Sequence, residues 1–314
     1  SKPTDQFEAM GSADIGNYKN RRFEGMINLP LVDDRLDLRV AGEWTKRNGY
    51  SDNALTGKPI DGRDLWSGRV SLGFKPFSNV QSNLVWEHFQ EDDDRMRSAK
   101  QLCKTAISPT EVNGVSIADS TAKPINTAAG YLSQGCELTS LYSSDAFEVP
   151  NGYSLPYVLG LGDADQINAF VDPYASTKQS QNLRVIESTV EPIYKAKSDI
   201  IELNIEYTVN PDLLLTSQTG YGSDALYSVE DFNRFNTSPG IFNGAPDDGT
   251  NAVQPGAVSP EGVFCDPQVG CTDRITGEDL SGEHAWQLSQ EFRLASHFSG
   301  PLNFSAGGNY LHYE

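Results

Sequence analysis

The residues that could do chemistry in this chain match none of the familiar catalytic or metal-binding patterns. Its four histidines form no HExxH or paired-ligand motif, and they are His88, His284, His297 and His312. No GxSxG, Walker A or GxGxxG motif is present. The acidic run EDDDR, residues 91–95, could bind a divalent cation, but its place just after a strand-like segment favours a solvated loop base. The sequence therefore predicts no enzyme, no cofactor and no metal site.

The four cysteines favour disulfides over redox or zinc chemistry. They are Cys103, Cys136, Cys265 and Cys271, and none shows CxxC spacing. Cys265 and Cys271 enclose DPQVG, a turn-rich segment suited to a small disulfide loop, while Cys103 and Cys136 share one long irregular region. We expect two local disulfides in an oxidising compartment. Four unpaired loop cysteines remain the alternative, and the sequence leaves the pairing of Cys103 with Cys136 open.

Aromatic side chains are the best candidates for ligand binding. They lie among Ser, Asn and Gly in the irregular segments, a combination that suits capture of an amphipathic or planar ligand. The candidates are Tyr131, Tyr142, Tyr153, Tyr157, Tyr227, Phe232 and Phe235. The alternative is that these rings pack the irregular segments against one another.

Composition and charge exclude several classes of protein. The net charge is -19, from 43 acidic and 24 basic residues, so a nucleic-acid partner is not expected. Mean hydropathy is -0.46, and no run of about 20 apolar residues occurs, which excludes a transmembrane helix. Barrel strands alternate and average out to a polar sequence, so a membrane location stays open.

The elements that would position these residues are strands with strict alternation. LDLRVAGEW sets Leu36, Leu38, Val40 and Trp44 against charged neighbours. The same pattern recurs in DLWSGRVSLGFK, DIIELNIEYTV and AWQLSQEFRLAS, and less cleanly elsewhere. We count nine strands, each near the ~9–11 residues that cross a bilayer when tilted.

The connections between these strands alternate between short and long. Tight turns follow the second, fourth, sixth and eighth strands, in PLVDDR, PFSN, NPD and FSGP. The other connections after the first hairpin are long, roughly residues 47–63, 92–197 and 223–284. Transmembrane barrels have short periplasmic turns and long external loops, whereas a soluble sandwich has no reason to sort its loops in this way.

Aromatic placement agrees with a barrel. The four tryptophans, Trp44, Trp66, Trp86 and Trp286, lie on the apolar face, and all but Trp86 lie near the long-loop end of their strands. Phe74, Tyr207 and Phe298 lie near the short-turn end. Two such girdles are expected at membrane interfaces, although sandwich-core aromatics are the alternative.

The chain is expected to be part of a larger barrel. A spanning sheet must close, bacterial single-chain barrels have even strand numbers, and nine is odd. Both ends of the sequence also read as cut from a longer protein. The fold class is therefore predicted as all-β, a transmembrane antiparallel up-and-down β-barrel domain over residues 1–314, contributing about nine strands.

The segment from GNYKNRRFEG to SLGFKP, residues 16–76, resembles the first barrel hairpins of TonB-dependent outer-membrane receptors. SKPTDQFEA, residues 1–9, is similar to the family's junction between plug domain and barrel, and LSQEFRLAS, residues 288–296, to a later strand. The resemblance implies a barrel of about 22 strands filled by an N-terminal plug. The plug and the TonB-contacting segment before it are not in this sequence.

The resemblance implies active uptake of a scarce nutrient across the outer membrane of a Gram-negative bacterium. Its implied partners are outer-membrane lipid, the TonB complex acting through the plug, and a small-molecule nutrient, by default a ferric siderophore. Oligosaccharides, cobalamin and haem are alternative cargoes. A passive porin and a soluble secreted glycan-binding β-protein are the alternative functions.

Overall fold

A computed structural model describes residues 2–117, 132–155, 172–175, 177–232, 236–239, 263–267 and 270–314. Nine antiparallel strands form one sheet in which each strand pairs with its neighbours in the chain. They are β1 (Glu8–Gly16), β2 (Asn20–Val32), β3 (Leu36–Arg47), β4 (Arg63–Phe77), β5 (Val80–Asp93), β6 (Ile193–Asn210), β7 (Leu213–Asp231), β8 (Glu278–Ser296) and β9 (Ser305–Tyr313). All nine predicted strands and their up-and-down order are thus confirmed.

The sheet has one apolar face, because alternate residues of each strand carry apolar side chains and pair in register. One row of paired residues on this face runs across eight strands: Ile27, Val40, Val70, Trp86, Ile201, Tyr221, Leu288 and His312. The adjacent row on the other face is mostly polar: Asn28, Arg39, Ser71, Val85, Glu202, Gly220, Ser289 and Leu311. We call these the apolar face and the polar face.

Ion pairs between neighbouring strands neutralise charge on the polar face. Arg22 Nη2 lies 3.0 Å from a Glu43 carboxylate oxygen, and Arg69 Nη1 lies 3.4 Å from Glu87. Each pair joins two neighbouring strands. They are partly exposed, so we attribute to them register and charge balance more than stability.

The segment before β1 lies against the polar face and is held by the amide of Asn28. Asn28 is fully buried, donates to the carbonyl oxygens of Thr4 (2.8 Å) and Gln6 (2.6 Å), and accepts from the Thr4 N–H (3.0 Å). The Nε of Arg39 donates to the same amide oxygen at 3.1 Å. Both donor positions and two acceptor positions of the amide are therefore filled.

The sheet is open, with β1 and β9 at its edges. Its short connections span residues 33–35, 78–79, 211–212 and 297–304, and the long ones span 48–62, 94–192 and 232–277. Short and long connections leave opposite ends of the sheet, as the sequence predicts. A three-residue 3-10 helix, Asn17–Lys19, makes the β1–β2 turn at the long-loop end.

The strands differ from the sequence prediction mainly at the long-loop end. Alternation predicts that β6 begins at Asp199, that β7 ends at Tyr221 and that β8 begins at Ala285, yet all three continue further toward the loops. Continuous backbone pairing from Ile193 opposite Val229 maintains these extensions. Their side chains alternate less clearly, because pairing requires only backbone hydrogen bonds.

The long connections contain short strands of their own. These are Ser51–Asn53 with Lys58–Ile60 and Val185–Ile186, Lys104–Thr105 with Cys136–Glu137, Glu111–Val112 with Val115–Ser116, and Phe264–Asp266 with Gly270–Thr272. Among the residues that the structure describes, no helix is long and apolar enough to cross a bilayer.

Candidate functional site

The three long connections emerge from one end of the sheet and bind one another there. We call residues 48–62 loop one, 94–192 loop two and 232–277 loop three, and the three together the loop layer. Because each begins and ends on neighbouring strands, the sheet holds their bases side by side. Contacts between residues far apart in sequence then join them.

Loop one joins loop two through a short parallel strand pairing and one buried amide. Val185–Ile186 pairs with Asp52 and Asn53. The fully buried Asn53 donates from Nδ2 to the carbonyl oxygen of Ser188 (2.9 Å) and accepts from its N–H through Oδ1 (3.1 Å). Asn53 therefore satisfies both backbone groups of a residue that has no strand partner at that position.

Replacing Asn53 with alanine should separate loop one from loop two without unfolding the sheet. The change strands the buried N–H and carbonyl of Ser188, which costs about 1–3 kcal/mol of local stability. Hydrogen exchange of residues 184–190 should accelerate by roughly 10- to 100-fold, since local opening sets exchange there.

An alanine at Asn309, an exposed position on β9, serves as the control for this change and should leave exchange in residues 184–190 unaltered. Equal exchange in the wild type and the Asn53→Ala variant would show that the amide does not hold the two loops together.

Carboxylates at the end of β7 join loop two to the base of loop three. Asp231, nearly fully buried, accepts from the N–H (2.9 Å) and hydroxyl (3.0 Å) of Thr189. Arg97 lies between two carboxylates, with Nη2 at 2.8 Å from Asp279 and its backbone N–H at 3.0 Å from Glu230. Charge-assisted bonds of this kind are roughly twice as strong as neutral ones, so they fix the start of loop two over β7 and β8.

Loops two and three also meet above the sheet. The hydroxyl of Thr177 donates to the Asn236 carbonyl oxygen at 2.7 Å, and the Ser238 N–H donates to the Pro173 carbonyl oxygen at 2.9 Å. Both bonds join backbone groups of loop three to residues of loop two that lie close together in sequence. The loop layer is therefore cross-linked at three separate places.

Two disulfides close segments of the loop layer, in agreement with the expectation from sequence. Cys103 bonds Cys136, and Cys265 bonds Cys271 across a tight hairpin. Cys103 and Tyr174 are the buried centre of a small cluster that Val149 and Leu155 complete. Burial raises the pKa of the Tyr174 hydroxyl to about 12, with a smaller effect from nearby Asp231, so the phenol stays neutral.

The acidic run at residues 91–95 is not the solvated loop base that its composition suggests. Glu91 is nearly fully buried on the polar face, and Arg95 lies 3.4 Å from its carboxylate. Asp94 accepts from the Gly62 N–H at 2.5 Å, and burial raises the pKa of its carboxyl. These carboxylates satisfy turn and arginine groups where loop one returns to β4, and sequence alone could not show that packing.

The histidines and acidic residues form no metal centre in the described ranges, which contain no group of three or more potential ligands. His88 Nδ1 lies 2.8 Å from the Asp199 carboxylate, and its ring lies 4.7 Å from Trp66. His312 similarly lies 4.9 Å from Trp286. These two histidines therefore pack against tryptophan rings on the apolar face.

Of the predicted ligand-binding aromatics that the structure describes, three lie in the loop layer, and the expectation that Tyr227 lies in a long connection is wrong, because strand pairing extends β7 past it. Tyr142, in a turn of loop two, is 94% exposed, and Phe232, at the start of loop three, is 53% exposed. Tyr153 is half-buried in loop two. Tyr227 lies on β7 opposite Lys195 and Gly282. Tyr131, Tyr157 and Phe235 fall outside the described residues, and ligand binding by all seven stays a prediction.

Sequence reasoning missed a cluster in which two arginines lie over tyrosine rings. Arg47 Cζ is 4.5 Å from the ring centroid of Tyr50, and Arg184 Cζ is 5.8 Å from the same ring and 5.9 Å from Tyr18. The two rings are 6.2 Å apart in an edge-to-face arrangement. The cluster joins the β1–β2 turn, loop one and loop two. No sequence spacing indicates it, since loop packing brings Arg184 to residues more than a hundred positions earlier.

No protein-family model matches the chain. Its whole length is similar to part of the ferric-catecholate import receptor Fiu from E. coli K12, with 12% identity, a TM-score of 0.49 and 35% of that protein covered. The siderophore receptor PiuA from Acinetobacter baumannii gives 9%, 0.43 and 47%. The ferripyoverdine receptor of the outer membrane of Pseudomonas aeruginosa, solved with ferripyoverdine bound, gives 12%, 0.32 and 38%.

The chain thus spans less than half the length of each of these three receptors. The first of these proteins is described as an import receptor for ferric catecholate, and the other two as receptors for a siderophore and for ferripyoverdine.

Proposed function

We propose that this chain is part of an outer-membrane receptor that captures a scarce nutrient at its loop layer and imports it with energy from TonB. The observation that carries the proposal is the sorting of the connections. Every connection of the sheet's long-loop end after the first hairpin belongs to one cross-linked layer, while the other end has short connections. This is the arrangement of a barrel with long external loops for recognition and short turns on its periplasmic side.

The two faces of the sheet support a membrane location. The apolar face is lined with Val, Ile and Leu between tryptophans toward the loops and Phe or Tyr toward the turns. The polar face has cross-strand ion pairs, which are costly in lipid and ordinary in a hydrated lumen. Outer-membrane lipid is thus the proposed neighbour of the apolar face, and a plug domain that of the polar face.

The proposed cargo is a ferric siderophore, the default that the family resemblance implies. Oligosaccharides, cobalamin and haem remain alternative cargoes. Binding would fall to exposed loop aromatics such as Tyr142 and Phe232, which offer large rigid surfaces with polar neighbours. TonB is the proposed energetic partner and would act through the plug domain, not through residues of this chain.

Uptake measurements with the intact gene test this function. Deleting the gene should slow ferric-chelate uptake under iron limitation. In cells that keep the gene, removing TonB should abolish the same part of the uptake. Tyr142→Ala should raise the half-saturating chelate concentration about fivefold, because loss of one exposed aromatic contact costs about 1 kcal/mol. Tyr310→Ala, on the apolar face of β9, is the control and should leave it unchanged.

Three outcomes separate the alternatives. Normal iron uptake with failure to grow on a particular glycan would keep the TonB-driven receptor and change its cargo. Passive leakage that persists without TonB would overturn the receptor and leave a porin. A protein that stays in solution without detergent would overturn the membrane location altogether.

A further inference from the structure

We propose that Tyr18, Arg47, Tyr50 and Arg184 form an oxyanion-binding site at the rim of the loop layer, which we call the rim site. Its ligand would be a carboxylate or phosphate group attached to a larger molecule. That the molecule is the captured nutrient rests on the proposed function, whereas the binding of an oxyanion does not.

The two guanidinium groups of the rim site keep most of their hydrogen-bond donors available. In the described part of the chain, Arg47 Nη2 donates to the Asp61 carbonyl oxygen (3.1 Å), and Arg184 Nη1 donates to the Tyr18 hydroxyl. Both acceptors are uncharged. A guanidinium has five N–H donors, so each arginine retains donors for a ligand.

Other arginines at the long-loop end of the sheet have carboxylate partners. Arg63 lies 2.8 Å from the Asp61 carboxylate, and Arg97 lies 2.8 Å from Asp279. The chain contains 43 acidic residues against 24 basic ones. Arg47 and Arg184 bond neutral oxygens, and the carboxylate of Asp61 beside them is engaged by Arg63 and by the Tyr50 hydroxyl. An anion from outside the chain could therefore pair with the two guanidinium groups.

Stacking on tyrosine holds these guanidinium groups in place and leaves their edges free. Arg47 and Arg184 lie 4.5 and 5.8 Å from the centroid of the Tyr50 ring. A stacked guanidinium presents its N–H groups in the plane of its fork, which matches the two oxygens of a carboxylate or phosphate. Both guanidinium groups thus border the same ring.

The backbone of the β1–β2 turn is strained to present Tyr18. Tyr18 and Lys19 have φ values of 58° and 56°, in the left-handed region that tight turns normally fill with Gly or Asn. The Asn48 N–H donates to the Tyr18 carbonyl oxygen at 2.8 Å, which ties the turn to loop one. Because the backbone keeps this strained conformation at the exposed Tyr18, we infer that its side chain has a role beyond closing the hairpin.

Equilibrium dialysis of the full receptor in detergent against labelled pyrophosphate, at constant ionic strength, tests the rim site. The wild type should bind one equivalent, and Arg184→Gln should weaken binding at least tenfold. Tyr50→Leu should weaken it as well, because it removes the stacking surface while keeping both charges. Lys197→Gln is the matched control, because it removes one exposed positive charge from β6, away from the rim site.

Circular dichroism should give the same folded signal for all variants, since Arg184 is exposed and its removal buries no polar group. Unchanged pyrophosphate binding in Arg184→Gln would overturn the rim site. So would an equal loss in Lys197→Gln, which would indicate unspecific attraction by surface charge.

A second measurement identifies the source of the oxyanion. Two ferric chelates that differ only in one free carboxylate are compared, and Arg184→Gln should weaken binding of the charged chelate alone. If neither chelate is affected while binding of a phosphorylated outer-leaflet glycolipid falls, the nutrient assignment is overturned and a lipid phosphate is the ligand. If no chelate binds even the wild type, the proposed cargo fails while the pyrophosphate result still decides the rim site.

Discussion

A lysine in place of Leu203 should lower the free energy of unfolding in a lipid bilayer by about 2–4 kcal/mol, whereas a lysine at the next residue, Asn204, should change it by less than about 1 kcal/mol. Leu203 lies on the apolar face of β6, between Leu84 and Thr219. Under the proposed membrane location, a charge there would face hydrocarbon near the middle of the strand. The two substitutions differ by one position, so the comparison isolates the face of the sheet.

The environment of Asn204 explains why the second lysine should be tolerated. Asn204 lies on the polar face opposite Asn83 and Gln218, and Glu202 and Glu206 flank it on the same face of β6. A lysine there gains two nearby carboxylates and remains hydrated. It therefore serves as the control for the change in side-chain size and for the loss of the wild-type residue.

A lysine in place of Ala225 tests whether the apolar face contacts a bilayer or the core of a soluble sandwich. Ala225 lies on the same face as Leu203 but toward the loops, between Lys197 and His284. In a bilayer the cost of a charge falls toward the interface, so Ala225→Lys should cost at most about 1 kcal/mol. The measurement is denaturant unfolding in lipid vesicles followed by tryptophan fluorescence. Equal costs at Leu203 and Asn204 would contradict the assignment of the two faces.

The sequence predicts the sheet well because each strand contains its own signal. Period-two alternation in segments such as LDLRVAGEW specifies both a strand and the face of every side chain, and a one-residue slip would reverse all of them. Turns rich in Pro, Asn and Asp mark where neighbouring strands join. These features depend on residues adjacent in the chain, so no knowledge of distant contacts is needed.

The loop layer could not be predicted, because its contacts join residues that are far apart in sequence. Asn53 and Ser188 are 135 residues apart, and nothing in the residues around either of them indicates the other. Glu91 illustrates the same problem. An acidic run is predicted to be exposed to solvent unless the residues that pack around it are known. The rim site also depends on such packing.

The cysteines lie between these two cases. Cys265 and Cys271 are six positions apart around a turn-rich segment, so their pairing follows from local chain geometry. Cys103 and Cys136 are separated by 33 positions, and the sequence leaves their pairing open. Their bond depends on the way loop two folds back on itself, with Lys104–Thr105 pairing to Cys136–Glu137.

Removing the Cys103–Cys136 disulfide, as Cys103→Ala with Cys136→Ala, should destabilise the fold of loop two by about 3–4 kcal/mol. A bond that closes a loop of 33 residues restricts the unfolded chain by roughly this amount in the chain-entropy account. Alanine is preferred to serine because Cys103 is fully buried, where an unpaired hydroxyl would add its own cost. Exposure of the cluster around Tyr174 should follow.

Limited proteolysis and hydrogen exchange should localise this effect. Residues 103–107 and 133–155 should lose protection, while β1 to β9 should unfold at an unchanged denaturant concentration, because sheet pairing does not involve the disulfide. Cys265→Ala with Cys271→Ala is the matched control. It opens a loop of only six positions and should cost about 2 kcal/mol, confined to loop three.

The relative size of the two stability losses tests how the disulfides stabilise their loops. If the bonds act by restricting the unfolded loops, the longer loop must lose more stability, and each loss must stay within its own loop. Equal losses in the two variants would contradict loop closure as the cause. A fall in the unfolding midpoint of the sheet would show instead that the loop layer and the strands beneath it unfold as one unit, so that the stability of one could not be altered without the other.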